Sequence, residues 1–394
     1  MTRRIGTLLR ERDGHAHARV GFVELFFDLV FVFAVTQLSH SLLDHLTPLG
    51  ALQTGMMLLA VWWAWIYTAW CTNWLDPDRM PVRLMLFALM AAGLVMASAI
   101  PQAFDGRGVV FAWAYAAIQV GHTAFLLWAV RRDEVLRRNF VRVIAWLVAG
   151  AVFWLLGGYA EGERRLLFWG LALAIEYVSP AVSFWLPGLG RSSTTDWNVE
   201  GHHMAERSGL FMIIALGESV LVMGATFAGL QWTPEAVAAF AAAFVGALAM
   251  WWIYFAGASD AASEVIAASD DPGRIARRAY TYCPIVLVAG VIVTAVGDEI
   301  ALKHPGGHTE LAAALVLLGG PALFLLGSLL FKLAVFGTWS PSRLTGLALL
   351  AALAPFALQF TPLGLSLAAT GVLLVVSAWE TVHIARLHAA KAAA

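Results

Sequence analysis

Two carboxylates lie inside the first apolar stretch of the chain, where charged groups are costly. Glu24 and Asp28 are four residues apart, so a helix would present both on one face. Each carboxylate placed in hydrocarbon costs about 3 kcal/mol on insertion scales. Two such costs on one face indicate a site at which a cation binds, a proton moves or a partner compensates the charge.

Other polar residues inside apolar stretches extend this candidate set. Glu176 and Glu218 join Glu24 and Asp28 as candidates for a transport path or an ion or proton site. Because we place no Lys or Arg near mid-depth, these acids are neutral, paired with histidine or water, or facing a cation. Secondary polar positions are Gln37, His40, Gln119, His122 and Arg207, and the apolar stretches also contain Asp298 and Glu299.

Prolines near some of these acids free backbone carbonyls. Pro180 follows Glu176 by four residues, so it removes the N–H that would bond the Glu176 carbonyl. Gly319-Gly320-Pro321 interrupts a later apolar stretch in the same way. A freed carbonyl beside a carboxyl group offers a cation or proton site, although helix kinks also arise from packing alone.

A second candidate site begins at His203. His203 and Glu206 are three residues apart, a spacing that places two metal ligands on one helix face. Further ligands would have to come from Glu24, Asp28 or Glu218. The alternative interpretation is a helix start whose acid interacts with the helix dipole or with an arginine. We assign no catalytic residue, and a metal ion or a monovalent cation remains the only cofactor class suggested.

Composition identifies the class of protein. The chain has 394 residues, of which 60% are hydrophobic and 13% are charged, about half the charged share of a soluble domain. The net charge of −1 offers no general attraction for nucleic acid. Cys71 and Cys283 are the only cysteines, which excludes a disulfide framework or a CxxC site. An all-α polytopic membrane protein with the lipid bilayer as its main partner is predicted.

Twelve apolar stretches are long enough to span a membrane. With the N-terminus in the cytoplasm, 21 of the 25 Lys and Arg residues fall on the cytoplasmic side, as the positive-inside rule requires. We therefore expect twelve membrane-spanning helices with both termini in the cytoplasm. The stretches are 21–43, 49–72, 81–100, 108–130, 141–159, 165–186, 206–228, 235–256, 279–300, 309–331, 343–360 and 363–385.

The two halves of the chain share local patterns. Trp65-Ile66-Tyr67 and Trp252-Ile253-Tyr254 each precede a polar residue by six positions, Asn73 and Asp260 respectively. We predict two parallel six-helix repeats related by an axis along the membrane normal. The aromatic run around Trp65 is otherwise typical of an interface anchor. The expected organisation is a tail at 1–20, a repeat at 21–186, a linker at 187–205, a repeat at 206–385 and a tail at 386–394.

Two segments carry a family resemblance. Glu24-Leu25-Phe26-Phe27-Asp28-Leu29-Val30-Phe31-Val32, followed by Thr36-Gln37-Leu38, resembles the opening signature of the bacterial low-temperature-requirement A family. His203-Met204-Ala205-Glu206-Arg207-Ser208-Gly209-Leu210-Phe211, continued to Glu218-Ser219, resembles its second signature. The resemblance implies a polytopic protein of the bacterial inner membrane and implies no particular mechanism.

The leading functional hypothesis is a transporter or channel for a cation or a proton-coupled small solute, with intramembrane carboxylates lining the path. One alternative is a membrane-embedded enzyme that uses a metal held by His203 and Glu206. Another is a sensor or assembly protein whose polar core is structural. Assembly with further copies of the chain is compatible with each of them.

Overall fold

The computed structural model describes residues 8–10, 20–193, 197, 199–256, 262, 264–266, 269 and 272–393. Helices make up 84% of the chain, as long apolar stretches predict. The described residues contain no strand beyond two isolated bridges, Leu9 with Leu75 and Leu186 with Gly190. The predicted all-α class is confirmed.

Twelve long helices lie within the described residues. Short helical turns extend three of them: Ile100–Gln102 after α3, Ala276–Tyr282 before α9 and Ala354–Gln359 after α11. The helices are α1 Phe22–Asp44, α2 Pro48–Trp74, α3 Met80–Ala99, α4 Gly108–Ala129, α5 Glu134–Tyr159, α6 Gly162–Ala181, α7 Gly201–Ala228, α8 Pro234–Phe255, α9 Cys283–Lys303, α10 Leu311–Phe336, α11 Pro341–Leu353 and α12 Pro362–Ala393.

Eleven of these helices are long and apolar enough to cross a membrane. The exception is α6, whose 20 residues include Glu163, Arg164, Arg165 and Glu176. The expectation of a polytopic bundle of about twelve helices is confirmed.

Helix ends differ from the hydropathy pattern where polar caps extend a helix. α5 begins at Glu134 rather than at 141, because Asp133 accepts a hydrogen bond from Leu136 N and Glu134 pairs with Arg137 and Arg138. α7 begins at Gly201 rather than at 206. This earlier start places Arg207 in the second turn of a helix, not at its edge.

The chain divides into two compact units. The first comprises Met1–Ser41, Leu49–Arg207 and Ser269–Ala276, and the second comprises Leu42–Pro48, Ser208–Ala268 and Arg277–Ala394. The predicted domain boundaries and the parallel repeat stay predictions. Arg19, Asp260 and Asp271, whose counterparts supported the repeat, lie outside the described residues.

The first unit has an aromatic core. Trp62, Trp63 and Trp65 on α2 are at most 2% exposed, which corrects the interpretation of this run as an interface anchor. Trp63 stacks on Tyr177 of α6 with ring centroids 4.0 Å apart, so these rings pack between helices instead of facing the membrane surface.

The second unit has an unusually close helix pair, α9 and α10. A Cβ atom added at Gly320 would lie 2.5 Å from the Thr294 backbone, and one at Gly290 would lie 2.5 Å from Phe324 N. Only glycine allows the two backbones to approach this closely.

Candidate functional site

Both acids, Glu24 and Asp28, lie on one face of α1, as their spacing predicts. Glu24 and Asp28 are completely buried. Glu24 is the third residue of α1, and its Oε2 accepts a hydrogen bond from Gly21 N at 2.8 Å, the reciprocal half of a capping box. Glu24 therefore closes the start of its own helix while its other oxygen faces the protein interior.

Arg207 of α7 joins the two acids. Its Nη1 donates to Glu24 Oε1 at 3.1 Å, and its Nη2 donates to Asp28 Oδ1 at 2.6 Å. Carboxylates one helical turn apart thus match the two arms of one guanidinium. Arg207 is itself fully buried, and its guanidinium lies 5.7 Å from the Trp65 ring centroid.

Arg10, in the segment before α1, supplies a second cation. Its Nη2 lies 2.8 Å from Glu24 Oε2, and its Nε donates to the carbonyls of Thr72 at 2.7 Å and Leu75 at 3.1 Å. The segment is held there by Arg10 N, which donates to Trp74 O at 2.8 Å. The end of α2 therefore positions Arg10 against the start of α1.

His203 completes the surroundings of Glu24. Its Nε2 lies 3.0 Å from Glu24 Oε1 and its Nδ1 lies 3.3 Å from Asn73 Nδ2. Asn73 is oriented by two bonds to the Glu200 backbone, so it presents its amide N–H to the ring. Arg10 Nη2 also lies 3.0 Å from His203 Nε2, so a donor group faces each ring nitrogen and Glu24 shares the Nε2 side with Arg10.

Asp28 has one oxygen engaged and one oxygen free. Oδ1 accepts from Arg207 and from Trp65 Nε1 at 2.7 Å. Oδ2 is buried and has no hydrogen-bond partner in the described part of the chain, and the same holds for Arg207 Nε. Unsatisfied buried polar atoms are uncommon. Asp28 is therefore the acid of the network whose hydrogen-bonding capacity is least used.

These residues form one buried cluster in the first unit, called here the Glu24–Asp28 network. With His203 neutral, two carboxylates face two guanidinium groups, so the formal charges balance. The members are Arg10, Glu24, Asp28, Trp65, Thr72, Asn73, His203 and Arg207.

A second polar cluster in the same unit has no ion pair among its members. Tyr115 donates to Glu176 Oε2 at 2.5 Å, and Gln119 Nε2 donates to the Tyr115 hydroxyl at 2.9 Å. Gln119 Oε1 lies 3.0 Å from His122 Nε2. The four residues are fully buried, and they form a continuous hydrogen-bonded series, called here the Glu176 chain.

Comparisons with known proteins agree with the resemblance of the two segments. The model of the bacterial low temperature requirement A protein (LtrA) family matches residues 19–378. This chain belongs to the LtrA family. It is 41% identical over 382 residues to uncharacterized protein RA0937 of Rhizobium meliloti (strain 1021), covering 95% of this chain and 92% of that protein. No solved structure matches it.

The two segments that resemble the LtrA signatures are the ones that meet in the Glu24–Asp28 network. Glu24 and Asp28 come from the first, and His203 and Arg207 come from the second. The sequence interpretation that left the acids without a basic partner needs correction, because Arg207 and Arg10 both reach them. The apolar stretch that begins at 206 predicts Arg207 at the edge of the span, whereas the helix itself begins at Gly201.

The structure separates His203 from Glu206. His203 is buried against Glu24, whereas Glu206 is exposed and accepts a hydrogen bond from Val20 N at 3.1 Å. Guanidinium groups also occupy the positions beside Glu24 where a cation would bind. Among the described residues, no three His, Cys, Asp or Glu side chains are placed to hold a metal ion.

The remaining predicted positions lie in three places: the Glu176 chain, α1 and α7. Glu176, Gln119 and His122 share the Glu176 chain, and the Glu176 carbonyl freed by Pro180 accepts from Ser179 Oγ at 2.7 Å. In α1, Gln37 is half-buried and His40 is exposed. Glu218 is half-buried in the part of α7 that belongs to the second unit. Its participation with Asp28 in one cavity stays a prediction.

Sequence reasoning missed a third polar cluster, which lies in the second unit. Glu380 of α12 pairs with Lys332 and with Arg343, each at 2.7 Å, and also accepts from Ser342. Arg343 donates further to Ser328 Oγ at 2.7 Å and to Ile253 O at 3.1 Å. The available signal was an acid and two bases inside predicted spans or at their ends.

Proposed function

We propose that this LtrA family protein is a proton-coupled transporter of a small solute, with the Glu24–Asp28 network as its proton-responsive centre. The observation that carries the proposal is that two buried carboxylates share one buried arginine, while one oxygen of Asp28 has no partner in the described chain. The channel interpretation is less favoured, because the ion-paired arginines occupy the space beside the acids.

The charge balance of the network explains how a proton could drive a rearrangement. As long as both acids are ionised, Arg10 and Arg207 are each compensated. A proton added to Asp28 would leave one guanidinium charge in excess, at a cost of several kcal/mol in a fully buried site. The excess is relieved when water or an anionic group of a solute reaches Arg207. Proton uptake and solute binding would thereby be coupled.

The Glu176 chain is a second candidate route for protons. Tyr115, Gln119 and His122 alternate donor and acceptor groups away from Glu176, and the distances between their polar atoms are hydrogen-bond distances. The Tyr115 hydroxyl is placed to exchange a proton with Glu176, and the Gln119 amide orients that hydroxyl. Glu218, in the second unit, is retained as a further candidate acid of the path.

The membrane and its orientation are part of the same proposal. The family is bacterial, and the distribution of basic residues favours the inner membrane with both termini in the cytoplasm. Two parallel repeats would also suit a transporter, since many such folds are duplicated.

A structural role for the polar core is the competing interpretation, and one observation favours it. Glu24 makes four short contacts with Arg10, Gly21, His203 and Arg207, so its hydrogen-bonding capacity is well used. A network built only for stability would require no titration. The enzyme alternative gains no comparable support, because His203 and Glu206 do not act together.

The test is proton movement in proteoliposomes that contain the pH-sensitive dye pyranine. A potassium diffusion potential set with valinomycin supplies the driving force, and pools of small carboxylates and amino acids supply candidate solutes. The wild-type protein should move protons when an accepted solute is added. Asp28→Asn should abolish this movement, and Asp44→Asn, an exposed position at the end of α1, is the matched control.

Glu176→Gln provides a second variant without an ion pair to lose. It should reduce proton movement while the protein remains folded. Wild-type liposomes that move no protons under any potential or solute would refute the proposal. Flux equal to wild type in a folded Asp28→Asn protein would instead support the structural interpretation.

A further inference from the structure

The second unit contains a small, partly open cavity with an acid in its wall. The cavity has room for about one water-sized group. It lies among α8, α9, α10 and α12, and none of the groups of the Glu380 cluster lines it. The lining residues that carry oxygen ligands or shape the helix are Thr294, Asp298, Leu317, Pro321, Ser366 and Thr370.

Asp298 lacks a partner for its charge. It is buried, and no hydrogen bond or ion pair joins its carboxylate to any of the residues that the structure describes. The next residue, Glu299, is paired with Lys303 at 2.7 Å, so the nearest basic residue in sequence is engaged elsewhere. An uncompensated buried carboxylate is costly unless a cation or a proton is supplied.

Thr294 provides an independent observation at the same cavity. It lies one helical turn before Asp298 on α9, on the same face. Its hydroxyl is buried and has no hydrogen-bond partner in the described chain. A Cβ atom added at Gly320 of α10 would lie 2.5 Å from this unsatisfied hydroxyl, so the close contact between α9 and α10 fixes its position.

The kink in α10 adds a backbone oxygen. Pro321 lacks the N–H that would otherwise bond the Leu317 carbonyl, and both residues line the cavity. From α12, Ser366 and Thr370 add hydroxyl oxygens, and Thr370 already donates its proton to Ala242 O at 3.2 Å. The lone pairs of the Thr370 oxygen therefore remain for another partner.

We propose that this cavity binds one dehydrated monovalent cation of sodium size. The ligands would be the Asp298 carboxylate, the hydroxyls of Thr294, Ser366 and Thr370, and the Leu317 carbonyl. Hard cations prefer oxygen ligands of this kind, and broken helices in membrane proteins supply them in the same way. One carboxylate compensates one positive charge, and the size of the cavity excludes a hydrated ion or an organic solute.

The site is separate from the proposed function and does not depend on it. Cation binding can be measured at equilibrium, without a gradient and without knowledge of any transported solute. A protein that moves no protons could still bind sodium here, and a proton-coupled transporter could lack this site. The two proposals therefore succeed or fail independently.

The experiment measures binding by the full-length protein in nanodiscs. Thermal unfolding is followed while sodium chloride replaces choline chloride at constant ionic strength, and direct binding is measured with radioactive sodium. Sodium should raise the unfolding midpoint of the wild type. Asp298→Asn should weaken the apparent sodium affinity at least about tenfold, as expected for loss of the charged ligand.

Two further variants keep the test decisive. Glu299→Gln changes the neighbouring acid, which is engaged with Lys303, and should leave sodium affinity unchanged. Thr294→Val keeps the side-chain shape and should weaken sodium affinity even if Asp298→Asn fails to fold. The proposal is wrong if lithium, sodium and potassium all act on the wild type as choline does, which would indicate bound water or a protonated acid. It is also wrong if Asp298→Asn or Thr294→Val binds sodium as tightly as the wild type.

Discussion

Each compact unit buries an arginine–carboxylate cluster, but the two clusters differ in their ratio of acidic to basic side chains. In the first unit, Glu24 and Asp28 share Arg207, and Arg10 makes the charges equal. In the second unit, Glu380 alone serves both Lys332 and Arg343. The second cluster therefore carries an excess positive charge at rest.

The excess charge is tolerated because of where the cations lie. The Lys332 side chain is 16% exposed, and Arg343 is surrounded by hydroxyl and carbonyl acceptors. In the Glu24–Asp28 network every charged group except Arg10 is completely buried. We therefore expect that the loss of a single charge lowers the free energy of unfolding more in the first cluster than in the second. Substitutions can test this expectation.

The largest effect is expected for Arg207→Met. It removes the cation shared by two sealed carboxylates, and breaking a buried pair from one side costs about 3–5 kcal/mol. The free energy of unfolding, measured by thermal or detergent denaturation in matched membranes, should fall by that amount. The exposed-residue control, Arg107→Met, should change it little.

A double variant checks the cause of that loss. Adding Asp28→Asn to Arg207→Met removes one of the orphaned charges and should recover about 1–3 kcal/mol. If the two losses simply add, Asp28 and Arg207 are not coupled and the proposed balance in the first unit is mistaken.

The next effect distinguishes the members of the second cluster. Glu380→Gln leaves Lys332 and Arg343 without a counter-charge and should cost about 3 kcal/mol. Lys332→Met leaves the balanced pair of Glu380 and Arg343 and should cost no more than about 1 kcal/mol, because the lost cation is partly exposed. Equal losses in the two denaturation measurements would show that the excess charge is not tolerated as we infer.

The sequence predicted one side of the first network and not the other. The spacing of Glu24 and Asp28 placed them on one helix face, which local periodicity is sufficient to establish. Their basic partners come from an N-terminal tail and from a helix 179 residues away from Asp28, and no local pattern encodes that pairing. The first turns of α7 contain histidine and glutamate, so hydropathy starts this helix too late and places Arg207 too close to its end.

The same limit holds for the Glu176 chain: its polar residues can be identified in the sequence, but their partners cannot. Gln119 and His122 could be listed as buried polar groups of α4, since they interrupt an apolar stretch. Their connection to Glu176 through Tyr115 depends on the packing of α4 and α6 on the two sides of α5, which the sequence does not specify. The family and the approximate number of helices were predictable because signature residues and apolar length are local properties.

A smaller effect is expected when a neutral donor to Asp28 is removed. Trp65→Phe deletes the indole N–H that lies 2.7 Å from Asp28 Oδ1 but leaves Arg207 in place. A hydrogen bond to a charged group contributes about 1.5–3 kcal/mol, so the loss should stay below that of Arg207→Met. Trp113→Phe, whose N–H bonds Tyr159 at an exposed position, serves as the control. Equal losses at positions 65 and 113 would argue against a special role for Trp65.

A small effect on stability, comparable to that of Lys332→Met, is expected for Glu176→Gln, and this variant sharpens the comparison within the first unit. Glu176 accepts from Tyr115 and Trp154, and no ion pair joins it to another described residue. An amide keeps one carbonyl acceptor and carries no charge, so the free energy of unfolding should change by only about 1 kcal/mol. Glu24→Gln should cost several times more, because it leaves Arg10 and Arg207 with one acid between them. Denaturation of both variants under one condition measures the difference. Similar losses would mean that Glu176 depends on a charge that its hydrogen bonds do not reveal, and the contrast between a charge-balanced network and a neutral chain would not hold.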